Sequence, residues 1–319
     1  MSKAPSPANS QPSLFAVMMQ LMKLRVIVLL QITALCAILV HDTLARYGTL
    51  DVTRTWGDTL TVALVTLVGG TLSAGGSNAI NMWYDADIDP HMRRTMNRPI
   101  PLGHATPRFA LIFGGVIAVL GSTLFLLVSP KAAFWSAFSV VFYVFVYSIW
   151  LKRRTPQNIV IGGIAGSTPP LIGWAAAAGD SIAGTHVFDL GSPIPWMLFF
   201  LIFFWTPPHF WALAIARKSD YERAKIPMLP VTHGIDFCKT CVVAYSVLLA
   251  LVCVMPYLIG MSGGIYLVGA CALNSVFMYK AIKLKFAANN DKAMDLFRFS
   301  IVHLMVLFVI LFIDKWLPL

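Results

Sequence analysis

Asn81, Asp85 and Asp89 recur every four residues at the end of an apolar run, directly before Pro90 and a cluster of Arg93, Arg94 and Arg98. On a helix such spacing stacks the three oxygen-bearing side chains on one face. Ionisable groups at the mouth of a membrane segment are expensive, roughly 2.5–3.5 kcal/mol each at a helix centre and less near the interface. Something must balance them. Oxygen donors beside guanidinium groups suit hard Mg²⁺ ions that hold a phosphate-rich substrate. Asp87 falls off the shared face and is the odd member of the set.

The elements that must position these groups are membrane helices. The chain has 319 residues, of which 58% are hydrophobic and 12% charged, with a mean hydropathy of +0.74. A soluble domain of this size does not need so much apolar surface. Nine runs of about 20 apolar residues lie near 26–42, 60–82, 109–129, 132–151, 158–178, 194–216, 240–260, 263–282 and 299–318. No linker separates soluble domains. The first 22 residues, rich in Ser, Pro and Gln, read as a disordered cytoplasmic tail, and residues 23–319 as one membrane domain.

The net charge of +10 follows topology and does not indicate nucleic acid. With the N-terminus inside and the runs alternating, all but four of the 24 basic residues fall on the inner side. The exceptions are Arg46, Arg54, Lys131 and Lys315. This asymmetry orients the chain and places the loops after the second, fourth, sixth and eighth runs on the cytoplasmic face. A bacterial inner membrane, crossed many times, is the simplest address. Among the five cysteines, Cys238 and Cys241 form a lone CxxC with no second pair or His cluster to complete a zinc site. The cysteines read as structural.

A second charged loop, Arg217-Lys218-Ser219-Asp220-Tyr221-Glu222-Arg223-Ala224-Lys225, follows the sixth run. Its end of the bundle is the same as that of the first motif, so the two could bind one highly charged ligand from opposite sides. Long inner stretches at 83–108 and 217–239 fit binding loops. In the fifth run, Gly162, Gly163, Gly166 and Gly173 permit close packing, and Pro169-Pro170 should break the helix and open a cavity wall.

These motifs together resemble the UbiA superfamily of intramembrane prenyltransferases, and within it the haem-modifying branch, over about residues 22–315. The resemblance rests on Asn81-xxx-Asp85-xxx-Asp89-xx-Met92-x-Arg94-Thr95-xx-Arg98-Pro99 and on Leu151-Lys152-Arg153-Arg154-Thr155-Pro156-Gln157-Asn158. Trp205-x-Pro207-Pro208-His209-Phe210 and Asp220-Tyr221-xx-Ala224-x-Ile226-Pro227-Met228-Leu229-Pro230 point to the haem branch. Two positions depart from the family pattern. Ala224 stands where the wider superfamily often has a second Asp, which puts a symmetric two-metal site in doubt. Met22-Lys23-Leu24-Arg25 lacks a frequent proline, which implies a less sharply turned entry to the first helix.

The resemblance implies an all-α, nine-helix bundle with a central cavity open to the inner face. It implies transfer of the farnesyl group of farnesyl diphosphate to a vinyl group of haem b, with addition of water to give haem o and diphosphate. Mg²⁺ is the implied cofactor, with Asp85, Asp89, Asn81 and Asp220 as metal ligands and catalytic residues. Arg94, Arg98, Lys152, Arg153 and Lys225 would clamp phosphate oxygens. His209, about 12 Å inside the bundle at 1.5 Å per residue, and His303 are the candidate haem ligands, since an intramembrane His is a functional candidate and imidazole ligates haem iron. Tyr143 and Tyr147 could stabilise an allylic cation with their ring faces, though packing also accounts for them. Besides both substrates and the lipid bilayer, haem a synthase or terminal oxidase assembly factors are implied partners.

Prenyl transfer to an aromatic acceptor is the alternative within the same class. A transporter is the alternative outside it. Transporters place charged or broken-helix sites near the midplane, often in repeated halves; here the acidic motifs sit at one end and no whole-bundle repeat is evident.

Overall fold

The structure, a computed structural model, describes residues 12–316 apart from 51 and 183, with the backbone alone at 180, 315 and 316. Among the described residues there is no strand, and nine segments are long and apolar enough to cross a membrane. In chain order the helices are α1 (Leu14–Met22), α2 (Leu24–Arg46), α3 (Trp56–Tyr84), α4 (Pro107–Leu124), α5 (Pro130–Val141), α6 (Asn158–Ser167), α7 (Pro169–Ala178), α8 (Ile194–Ala216), α9 (Lys218–Arg223), α10 (Leu229–Thr232), α11 (Ile235–Leu258), α12 (Gly264–Phe286) and α13 (Asp291–Trp316). A π-helical stretch, Phe142–Leu151, continues α5 to the end of its span.

The bundle is graded from centre to rim. Along their most apolar stretches, 78% of α8 and 72% of the α6–α7 pair are buried, against 50% for α2 and 28% for α11 and α12, so α8, α6 and α7 form the centre and α11 and α12 the rim. α3 lies along α4 through glycines. A Cβ on Gly76 would stand 2.4 Å from the Gly114 carbonyl, and one on Gly121 would stand 2.3 Å from the Ser73 amide. Gly173 of α7 meets the Ala34 carbonyl of α2 in the same way, at 2.2 Å. Small residues let backbones approach where lipid offers no hydrophobic drive between helices.

Proline punctuates the bundle. Pro169 and Pro170 end α6 and start α7, with Thr168 at the joint. Each lacks an amide proton, so the break falls where the i−4 hydrogen bonds are lost. Pro207 and Pro208 stay inside α8, directly before His209.

The expected disordered tail is corrected in its second half. Met1–Gln11 lie outside the described residues, but Leu14–Met22 form a helix. Ser13 caps it by accepting from the Ala16 amide at 3.3 Å, and Val17, Leu21 and Met22 are buried against α3 and α4. Leu14 and Phe15 remain exposed on the far side. The entry to α2 is corrected as well. Lys23 adopts a left-handed conformation, φ 55 and ψ 53, so the chain turns sharply there without proline. The turn is fixed by the Asn78 amide donating to the Met22 carbonyl at 2.9 Å.

The basic residues expected off the inner face are used inside the molecule. Arg54 donates to the buried Asp42 at 2.9 Å, Arg46 donates to Thr59 at 2.5 Å, and Lys131 donates to Thr185 and to the carbonyls of His186 and Asp189. Lys315 has no described side chain.

Candidate active site at the inner mouth

α3 runs out of apolar residues at Tyr84, and its last turn delivers the motif. Asp85 closes the helix with its amide on the Asn81 carbonyl, and the Asp89 amide returns to the Asp85 carbonyl at 2.9 Å. The i, i+4 stack therefore persists past the helix end. Asn81, Asp85 and Asp89 are buried, while Asp87 points outward.

Each carboxylate carries a basic partner. Asp85 pairs with Lys152. Asp89 is forked by Arg98, with both oxygens 2.8 Å from Nη1. Asp87 takes Arg153 at 2.7 Å, and the same guanidinium lies over the Tyr84 ring at 4.4 Å. Asn81 is the hinge of the set. Its amide nitrogen donates to Asp85 at 3.0 Å and to Ser148 at 3.2 Å, and its oxygen accepts from Lys23 at 3.1 Å. Asn81 thereby orients Asp85 while one lone pair of its oxygen is taken by the Lys23 ammonium.

The electrostatics follow from burial. The Lys23 ammonium is held well below the ordinary lysine range by desolvation, and the charges of Arg98 and Lys152 push it further down. Desolvation also lowers Lys152, against the raising effect of Asp85. Asp89 is raised because its burial outweighs Arg98. Asp87 is lowered by its hydrogen bond from Arg153.

The second loop docks onto the first. Arg223 donates through Nε to the His91 carbonyl at 3.3 Å, and its other nitrogen pairs with the buried Asp220. Beneath them Met92 of the first loop packs with Tyr221, Ala224, Ile226 and Met228 of the second, and with Ile159 and Ala214. Ala224 therefore supplies apolar contact between the loops where a carboxylate would have to be desolvated. Lys225 is exposed in a left-handed turn, φ 53, and Arg94 is exposed on the first loop.

Two buried carboxylate oxygens, Asp85 Oδ1 and Asp220 Oδ2, have no hydrogen-bond partner. An orphaned buried acceptor of this kind is costly and is what an arriving cation would satisfy. Among the described residues no three His, Cys, Asp or Glu side chains converge on one metal position. The two unpartnered oxygens are acceptors of the kind a hard divalent cation takes.

The π-helical stretch forms the wall behind Asn81. Ser148 donates five residues back, to the Tyr143 carbonyl at 2.9 Å, and the Lys152 amide does likewise to Tyr147. π-turns inside helices are found frequently at functional sites. The Tyr143 and Tyr147 rings stack with centroids 5.4 Å apart, and a Cβ on Gly162 would stand 2.3 Å from the Tyr147 ring. A cavity of about 440 Å³ opens beside Arg98, lined also by Gln20, Met82, Pro99 and His104.

Residues 34–308 match the UbiA prenyltransferase family. The chain belongs to that family. Among curated UbiA-family relatives it is 59% identical to protoheme IX farnesyltransferase 2 of Pseudoalteromonas translucida over 80% of each chain. It is 45% identical to protoheme IX farnesyltransferase of Psychromonas ingrahamii over 94% of this chain and 89% of that one. The fold matches a solved digeranylgeranylglyceryl phosphate synthase with a TM-score of 0.71 at 17% identity, covering 94% of this chain and 98% of that one. It also matches a UbiA homologue from Archaeoglobus fulgidus bound to GPP and Mg²⁺, with a TM-score of 0.57 at 15% identity, over 92% and 99%.

The sequence pointed to Asn81, Asp85, Asp89, Arg98, Lys152 and Arg153, and these meet at one mouth, with the Asp220 loop docked on it. It missed Lys23 and Ser148. Lys23 stood out only as a charge near a helix entry; its burial against Asn81 depends on the left-handed turn. Of the two candidate haem histidines, His209 of α8 is enclosed by Trp205 and Phe297, with ring centroids 4.2 and 4.6 Å away, and is bonded to Ser300. His303 lies apart, between α13 and α12, where Nε2 meets Asn274 at 3.2 Å and Nδ1 is buried without a partner.

Proposed function

We propose that this chain transfers the farnesyl group of farnesyl diphosphate to a vinyl group of haem b, with addition of water, giving haem o and diphosphate. The acceptor half rests on the relatives named protoheme IX farnesyltransferase, the first of them 59% identical over four-fifths of the chain. The donor half rests on one geometric observation, the docking of the Asp220 loop onto the loop that follows α3, with a buried carboxylate oxygen, Asp85 Oδ1 or Asp220 Oδ2, lacking a hydrogen-bond partner on either side.

Asp85 and Asp220, with Asp89 and the Asn81 oxygen, would hold Mg²⁺, which when bound neutralises charge on the diphosphate. The chain's own cations do the rest. Lys152, Arg98 and Arg153 sit on the carboxylates in the resting state and would turn to the phosphate oxygens as substrate enters, joined by Lys23, with Arg94 and Lys225 at the rim. Fixed cations beside the leaving oxygens favour cleavage of the farnesyl carbon–oxygen bond, whose electron pair departs with diphosphate. The vinyl group then bonds to the allylic carbon, water adds to the adjacent carbon, and one proton is released. The stacked faces of Tyr143 and Tyr147 lie behind Asn81, where an allylic cation would form. His209 is the proposed axial ligand that holds the porphyrin, and His303 is the second candidate.

The charge asymmetry supports a bacterial inner membrane with the mouth on the cytoplasmic side. Haem a synthase or terminal oxidase assembly factors would receive the product. Purified protein incubated with labelled farnesyl diphosphate and either haem b or an aromatic acid tests the reading. Label is expected in a hydroxyethylfarnesyl porphyrin that is lost on chelating Mg²⁺; transfer to the aromatic acid alone would overturn it.

A further inference from the structure

We infer that Ser300 is a positioning residue that fixes the tautomer of His209 and presents its Nε2 lone pair to haem iron. The inference rests on the reading above that haem b is the acceptor and His209 its ligand, and it identifies what makes that histidine ready to ligate.

A serine hydroxyl has one proton to give. The Ser300 hydroxyl gives it to the Phe297 carbonyl one turn back, at 2.6 Å. Towards His209 Nδ1, also at 2.6 Å, it can then only accept. The proton of that bond must sit on Nδ1. A neutral imidazole protonated at Nδ1 carries its free lone pair on Nε2, and a lone pair is what iron requires.

Orientation is fixed by the same segment. Trp205, one turn before His209 on α8, donates its indole N–H to the Ser300 carbonyl at 2.9 Å while its ring stacks on the imidazole. Phe297 covers the opposite face, and Phe210 meets the ring edge-on at 4.9 Å. The ring can neither flip nor tilt without breaking the bond to Ser300. A ligating histidine commonly donates its other ring N–H to an acceptor that sets its tautomer and strengthens it as a ligand. Here a hydroxyl on α13 fills that place.

His303 shows the contrast. The Asn274 amide nitrogen donates to the Ala270 carbonyl at 2.8 Å, so the Asn274 oxygen faces His303 and holds the proton on Nε2. The lone pair is then on Nδ1, which is buried and without a partner, in a ring packed against Phe277 and Phe299. Two histidines in one membrane bundle are thus locked in opposite tautomers.

The test uses the full-length protein in detergent with ferrous haem b, and reads the iron–histidine stretching band by resonance Raman. The comparison is among wild type, Ser300→Ala, the near-isosteric poor acceptor Ser300→Cys, Ser300→Thr and His209→Ala. The band is expected to disappear in His209→Ala. It should move to lower frequency in Ser300→Ala and Ser300→Cys, because an imidazole whose N–H has lost its acceptor is a weaker ligand. Both variants should bind haem b about tenfold more weakly, with KM for haem raised and farnesyl diphosphate affinity unmoved, and Ser300→Thr should restore the band. Cysteine keeps the packing volume, so the shift is readable even where alanine lowers the yield of folded protein. A band unmoved in both variants but lost in His209→Ala would overturn the role of Ser300 and leave the ligand standing. A band that survives His209→Ala would overturn the ligand assignment itself.

Discussion

At the scale of single residues, the mouth sets four carboxylates, Asp85, Asp87, Asp89 and Asp220, against the basic side chains of Lys152, Arg153, Arg98 and Arg223. Asp85→Ala is expected to lower transfer by on the order of 10²–10³-fold, the loss typical of removing one transition-state charge contact. Turnover is read on the folded fraction, because the change also strands the Lys152 ammonium. Turnover is the measurement, beside a wild-type sample treated with chelator, which should show a similar loss. The lowered Lys23 gives a second expectation, and its sign is fixed. An amine whose folded value lies below the usual 10.5 keeps its charge only below that lowered value, so it loses its grip on an anion sooner as pH rises. Farnesyl diphosphate affinity should therefore fall on the alkaline side before an ordinary lysine would titrate. Lys23→Arg should carry binding to higher pH, since guanidinium stays charged. A binding titration across pH tests this, and an identical alkaline limb in the variant would exclude Lys23 from the diphosphate site.

At the scale of helices, what the sequence disclosed depended on whether a signal was local. The nine spans were legible because 20 apolar residues have one use in a membrane protein. Asn158–Ala178 and Ile194–Ala216 coincide with the expected ranges. The ninth begins eight residues earlier, at Asp291, because the polar turns before the apolar run continue the helix, with Asp295 paired to Lys280 at 2.7 Å. Helix α1 was hidden by its neighbours: nine apolar or helix-favouring residues behind a Ser cap were averaged into a Ser/Pro/Gln-rich tail. Nothing in Phe142–Leu151 announces a π-helix, because its cause is tertiary. Glycine roles were legible as close packing but not as to which helix each glycine meets. That pairing gives an expectation. Gly76→Ala should cost about 1–3 kcal/mol through overpacking, because its Cβ would meet the Gly114 carbonyl and the Ala118 amide, which cannot swing aside. Gly115, with nothing within 4 Å of a Cβ, should gain up to about 1 kcal/mol of helix propensity from the same change. Thermal unfolding in detergent checks both, and equal Tm shifts would show that the α3–α4 seam is looser than its geometry.

At the scale of the whole molecule, charge has two separate tasks that the sequence alone could not divide. On the mouth side basic residues pair with the carboxylates of the two charged loops. On the opposite side the three with described side chains are structural: Arg46 lies 3.7 Å over the Trp56 ring, Lys131 ties down the 184–189 loop, and Arg54 neutralises Asp42. Asp42 is fully buried and also accepts from Thr59 at 2.6 Å. Arg54→Met would leave that carboxylate with a hydroxyl and His41 as its polar neighbours. Stranding one member of a buried pair typically costs about 3–5 kcal/mol, whereas removing both members together costs much less. Arg54→Met should therefore lower Tm sharply, and Arg54→Met with Asp42→Leu should recover most of the loss. Neither change should reverse the chain in the membrane, since the orienting excess of Lys and Arg lies at the other face. Maleimide labelling of a Ser219→Cys variant, in a background without the five native cysteines, reads the side on which the Asp220 loop sits. Labelling from the cytoplasmic side is expected with and without Arg54. Labelling from the other side would invert the assignment and place the diphosphate mouth on the opposite face.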